Sequence, residues 1–148
     1  MDDWSRVLGL AAYHAENVRL RTLIEEALSG FPVDVLPLRS IVEVRMRKRA
    51  TRGTVGLTTY SPTRTALDSG RRRADRGTQT ITFYSELLDQ LSDDAAKGVI
   101  VHELAHAWLN EHVSPESSHR REVEADALAR NWGYGRYLDA LDAEATSY

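Results

Sequence analysis

The chain contains no cysteine. This excludes a disulfide framework, a thiol nucleophile, and any zinc finger or iron–sulfur cluster held by thiolates. A metal site here has to be built from histidine and carboxylates. Long apolar runs are missing as well. Nothing approaches the roughly 20 apolar residues that span a bilayer, so no membrane partner is expected. With 4 Pro and 9 Gly the chain is neither collagen-like nor low-complexity. It opens Met1-Asp2-Asp3-Trp4, acidic where an export signal is basic, and a cytoplasmic protein is expected.

What remains is an ordinary globular composition, 42% hydrophobic and 28% charged over 148 residues. That length points to a single domain, 1–148, able to bury about 68–70% of its unfolded surface. The net charge of −3 conceals an asymmetry. Between Arg45 and Arg76 ten basic residues accompany Asp68 and Asp75, whereas the rest of the chain carries nine basic and twenty acidic residues. The two arginine runs, Arg45–Arg52 and Arg71–Arg76, offer a surface for an anionic partner. No stacking aromatics interleave them, so two solvated hairpin edges and a loop are the favoured reading of these runs.

Hydrophobic periodicity predicts a backing helix over 3–29, stopped by Gly30-Phe31-Pro32, with room for a kink near Glu16–Asn17. Three β-like stretches follow at Ser40–Arg47, Thr54–Tyr60 and Thr78–Tyr84, defining a sheet region over 40–84. The polar, Arg-rich segment Ser61–Gly77 is long for a hairpin loop. Ser85 can cap a short leucine helix. Ser92-Asp93-Asp94 then opens a longer helix, with a capping hydroxyl and two acids at the positive end of the dipole. Ser114-Pro115 restarts the chain for a helix to about Trp132, with Gly133 as its stop. These two helices occupy 92–132, and a last helix covers 134–145. The order points to an α+β fold, a small antiparallel sheet packed on helices.

The chemistry lies in Val99-Ile100-Val101-His102-Glu103-Leu104-Ala105-His106-Ala107-Trp108, an H-E-x-x-H pattern inside an apolar helix. His102 and His106 sit one above the other on one face, so two imidazoles can converge on one ion. Glu103 is rotated by about 100°, within reach of a water at the metal without ligating it. A catalytic zinc takes three protein ligands and keeps a position open. Sixteen residues after His106, Glu122 and Asp126 share a helix face. Glu122 can supply the third ligand, and Asp126 can accept a hydrogen bond from the other ring nitrogen of a zinc histidine, His102 for preference. The spacing also allows His112 as an alternative third ligand, although Leu109 stands where such sites need glycine to turn the chain. Glu124 faces away from Glu122, and His14 and His119 read as surface or packing histidines.

H-E-L-A-H at 102–106 followed by E-x-E-A-D at 122–126 resembles the gluzincin metallopeptidases. Among these it is most similar to the small ones: the minigluzincins, the ImmA/IrrE-like proteins and the catalytic core of HtpX-type proteases. The strand and short leucine helix at 81–94 also resemble the ImmA/IrrE-like pattern. Those proteins often carry Asn where this chain has Asp126. The Trp108-Leu109 segment is similar to SprT-like proteases too, whose third-histidine pattern the E-x-E-A-D motif does not match well. The resemblance spans about residues 54–133. It implies a zincin-like fold and one Zn2+ per chain, held by His102, His106 and Glu122, with Glu103 as general base and Asp126 behind the ligands. It further implies a peptide or protein substrate bound in extended form along the strand Thr54–Tyr60.

On this reading the protein is a zinc metallopeptidase. The tetrahedral oxyanion needs one more donor, and Tyr134, Tyr137 and Tyr84 are the candidates. Two alternatives stand beside it. One is a silent or latent zinc-binding regulator, with the acidic tail Asp139–Tyr148 lying over the metal. The other is a nucleic-acid-associated protease using the basic 45–76 segment.

Overall fold

Alternation governs the most buried strand. In Thr78–Tyr84 the side chains of Gln79, Ile81 and Phe83 take one side and all are buried, and Thr82 on the other side is buried too. Burial on both sides is the mark of a central strand. The computed structural model describes residues 12–14, 18–29, 41–48, 56–61, 78–112 and 118–145. They form β1 (Ala12–His14), α1 (Val18–Ser29), β2 (Ile41–Arg47), β3 (Gly56–Ser61), β4 (Thr78–Tyr84), α2 (Ser85–Leu88), α3 (Asp93–His112), α4 (Ser118–Ala129) and α5 (Gly135–Ala145). A wide π-type turn, Arg130–Tyr134, links α4 to α5. The fold is α+β, with a four-stranded sheet in the order β1-β2-β4-β3.

Two expectations are corrected here. The backing helix does not run over 3–29. Ala12–His14 is a strand beside β2, the helix starts at Val18, and residues 3–11 and the Glu16–Asn17 kink lie outside the described residues. Short apolar runs fit either period, and pairing with a neighbouring strand outweighs local spacing. The sheet is also mixed rather than antiparallel. β1 pairs β2 and β2 pairs β4 in parallel, and β3 alone among the described strands pairs antiparallel. β4 lies between β2 and β3, in keeping with burial on both of its faces, and among the described strands β3 is at the edge.

The other side of the core is α3. Ala95, Ala96, Val99, Ile100, Val101, Leu104, Ala105, Ala107 and Leu109 are all buried, so this helix is apolar nearly all round and must be covered on most sides. α1 covers it with Leu20, Leu23, Ile24 and Ala27, and α4 with Ala125 and Ala129. Polar contacts then set its register. Ser92 caps it through Ala95 N at 3.2 Å, and Glu144 of α5 accepts from both the amide and the hydroxyl of Ser92. Those two bonds hold the Glu144 carboxyl below its ordinary value. Arg19 of α1 donates to Leu88 O at 3.1 Å, Leu91 O at 2.7 Å and Asp93 Oδ1 at 3.1 Å, tying α1 to the approach to α3. At the far end buried Gln79 donates to Ala107 O at 2.9 Å and accepts from Asn110 at 3.1 Å.

Gly98 lets α5 lie directly on α3. A Cβ there would stand 2.5 Å from Tyr137 O, a backbone atom that cannot rotate away. Glycine-to-alanine in an open helix stabilises by roughly 1 kcal/mol. Here Gly98→Ala is expected to destabilise instead, by about 1–3 kcal/mol, through overpacking. Urea unfolding of the two proteins, compared at equal slope, checks the sign.

Candidate metal centre

His102 and His106 lie one turn apart in the buried middle of α3, and their Nε2 atoms approach to 3.0 Å. The rings meet edge to face, with centroids 4.6 Å apart and planes at 86°. Glu122 reaches them from α4. Its Oε2 is 3.0 Å from His102 Nε2 and its Oε1 is 2.8 Å from His106 Nε2. The two histidine side chains are 17% and 12% exposed, whereas that of Glu122 is 61% exposed. Glu103 is buried at 6%. A ligand atom from each of His102, Glu103 and His106 lies within 4.8 Å of the others.

This donor set fits zinc. Two imidazoles and one carboxylate are a known catalytic combination, and tetrahedral bonds of about 2.0–2.1 Å separate donor atoms by about 3.3 Å. The observed separations of 2.8–3.0 Å need only a small spreading. Three electron-rich atoms aimed at one point repel unless a proton or a cation sits among them.

The electrostatics agree. Burial pulls the pKa of His102 down, but the Glu122 hydrogen bond and the charges of Glu103, Glu122 and Asp126 outweigh it and raise the net value. Hydrogen bonds from His102 and His106 hold the Glu122 carboxyl well below the usual carboxylate range.

Not every expected group joins this cluster. Asp126 does not bond a histidine. Its Oδ2 accepts from Arg130 Nε at 2.8 Å, a charge-assisted bond to a guanidinium one turn further along. His112 is not brought to the pair either. α3 continues through buried Leu109, and the His112 ring stacks on Trp108 at 4.4 Å with Nδ1 2.9 Å from Trp108 O. Two of the tyrosines are engaged elsewhere. Tyr134 is buried and donates to Ala27 O at 2.8 Å, and burial pushes its hydroxyl pKa up. Tyr137 stacks on Tyr134 and accepts from Arg136 at 3.1 Å. Tyr84 pairs with Arg47 at the end of β4 that leads toward the start of α3, whereas the opposite end, at Gln79, meets Ala107.

The acidic tail is also accounted for in part. Asp139 and Asp142 bind Arg130 and Glu144 binds Ser92, while residues 146–148 lie outside the described residues. Glu124 faces Arg120 and Arg121 rather than open solvent. The side chains of His14 and His119 lie outside the described residues, as do Arg49–Arg52 and Arg71–Arg76; Arg45 bonds Glu43. Three contributors escaped sequence reading. Gln79 follows the period of Ile81 and Phe83 and so belonged to the buried side. Arg130 stands four residues after Asp126, the spacing of a helical ion pair. Gly98 carries no local signal.

Proton and metal compete for the same ring nitrogens. The raised His102 pKa means that its pairing with Glu122 stabilises the metal-free fold fully below its ordinary value of 6.5, and that this contribution is lost as pH rises through the raised value. The depressed Glu122 contributes above its ordinary 4.5 and is lost as pH falls through the lowered value. The melting-temperature rise on adding zinc is therefore expected to be largest near about pH 8 and to shrink steadily toward about pH 6. Thermal melts with and without zinc across that range measure it.

Residues 24–126 match the SprT-like family, a stretch that includes both histidines, Glu103 and Glu122. No curated protein and no solved structure matches the chain. The family match spans more than half of the sequence, and the chain belongs to the SprT-like family, which is related to the zincin-type metallopeptidases.

Proposed function

We propose that the protein is a zinc-dependent peptidase in which His102, His106 and Glu122 hold the ion and Glu103 is the general base. The observation that carries this reading is the carboxylate of Glu122, delivered by a second helix to both Nε2 atoms at once. A glutamate rather than a histidine in the third position favours the gluzincin arrangement within this family. A zinc ion held there would acidify a water and polarise a peptide carbonyl. Glu103 takes the proton from the attacking water as the new C–O bond forms, and passes it to the amine as the C–N bond breaks. Its burial suits that work, since a base shielded from bulk water keeps the proton it must hand on.

The substrate in this proposal is an extended peptide added along β3. Among the described strands β3 is the edge beside β4, it touches α3, and an edge strand offers unpaired backbone groups to a chain in extended form.

The test is metal content followed by hydrolysis. Wild-type protein is expected to hold about one zinc per chain by mass spectrometry. Glu122→Ala should lose most of it and His112→Ala should keep it. Glu103→Gln should retain zinc but lose peptide hydrolysis by roughly 100-fold or more. Absence of zinc after reconstitution would sink the proposal. Zinc bound by wild type without hydrolysis of any peptide in a broad library would favour the zinc-binding regulator instead.

A further inference from the structure

We infer that Arg130 is a positioning residue for the metal centre, fixing where α4 presents Glu122 to the two histidines. The inference rests on the zinc reading proposed above and extends it to a residue outside the motif.

Of the three donors, Glu122 alone stands on a different helix, so its placement depends on how α4 docks against α3. The docking stripe includes Ala125 and Ala129, both fully buried, with Arg121, and Leu128 packs partly buried beside them. Alanines pack closely but interlock little, so directional bonds fix the rotation of α4 more sharply than this apolar contact does. Glu122, Asp126 and Arg130 follow one another at four-residue steps on one face of the helix. Arg130 Nε holds Asp126 Oδ2 at 2.8 Å. Its other nitrogens reach across to α5, Nη1 to Asp139 Oδ1 at 2.8 Å and Nη2 to Asp142 Oδ2 at 3.3 Å.

A kink makes this possible. Gly133, at φ 100°, bends the helical path between α4 and α5 just after Arg130, and α5 places two carboxylates at the same guanidinium. α5 is itself fixed on α3 by the Gly98 contact and by Glu144 on Ser92. The contacts close a ring from α3 through α5 and Arg130 to α4, and from Glu122 back to His102 and His106. A planar fork engaging three carboxylates sets direction as well as distance, which a lysine ammonium cannot do.

Stability and positioning separate cleanly here. All the partners of Arg130 are substantially exposed, and exposed pairs add little to folding. Zinc affinity is read by competition with a chromophoric chelator well below the melting temperature, alongside melting of the metal-free protein. Arg130→Met is expected to weaken zinc about tenfold or more, with little change in metal-free melting. Asp139→Asn combined with Asp142→Asn leaves the Arg130–Asp126 pair intact and should weaken zinc in the same direction. Arg130→Lys, which restores charge without the fork, should fall between Arg130→Met and wild type. Wild-type affinity in both Arg130→Met and the double variant overturns the inference while leaving the zinc reading standing. If Arg130→Met fails to fold, the double variant decides by the same criterion. Failure of the wild-type protein to bind zinc defeats the zinc reading, and the inference falls with it.

Discussion

A carboxylate has to reach two imidazoles from outside the helix that carries them. His102 and His106 are aligned by the helical repeat alone, but nothing local decides where Glu122 arrives. Its oxygens stand 3.0 and 2.8 Å from the two Nε2 atoms, a tolerance of a few tenths of an ångström imposed across a helix–helix interface. The surrounding structure meets that demand by fixing α3 along its length. Glu144 holds its first turn, Tyr137 presses on Gly98, and Gln79 grips Ala107, the residue after His106.

Energy and placement come from different sources in this arrangement. Nine apolar residues of α3 are buried, and at roughly 25 cal/mol per Å² that burial outweighs a handful of hydrogen bonds worth about 1 kcal/mol each. The transfer of apolar area from water, however, says little about where along its axis α3 stops. The bonds from Gln79, Ser92 and Arg19 are directional, and each would be broken by a slide of α3 along that axis. Their role is to choose one register from several of similar apolar content.

What could be read from the sequence divides along the same line. The H-E-x-x-H helix, its Ser92 cap and the stop at Gly133 follow from three- and four-residue steps and from capping chemistry, all local properties. The closeness of Glu122 to both histidines was legible because Glu122 sits on the following helix at a spacing that lets it fold back across the first. The strand order was not, because the pairing of β4 with both β2 and β3 joins distant segments, which no local window reports. Ala12–His14 was misjudged for the same reason: its partner is Glu43 to Arg45, about thirty residues away. At the site, the contacts that differ from expectation come from competition. Asp126 and a zinc histidine make a sensible pair until Arg130 is considered, and three tyrosines make sensible donors until the carbonyl of Ala27 and the ring of a neighbour claim two of them.

Competition also explains why placement matters more than charge for the metal centre. Glu103, Glu122 and Asp126 all raise the affinity of His102 for a proton. The same field attracts a divalent cation to the same point, so adding carboxylates would strengthen both occupants together. Arg130 does not cancel this field, since its charge is shared among three carboxylates. The discrimination has to come from geometry. A proton is satisfied by one donor and one acceptor, such as His102 and Glu122 alone. A metal ion held as proposed would draw on both imidazoles and the carboxylate at once, and its advantage over the proton would vanish if one of the three were displaced. In the proposed zinc site, selection for the ion would therefore rest on the helix that carries Glu122 and on the contacts that orient it.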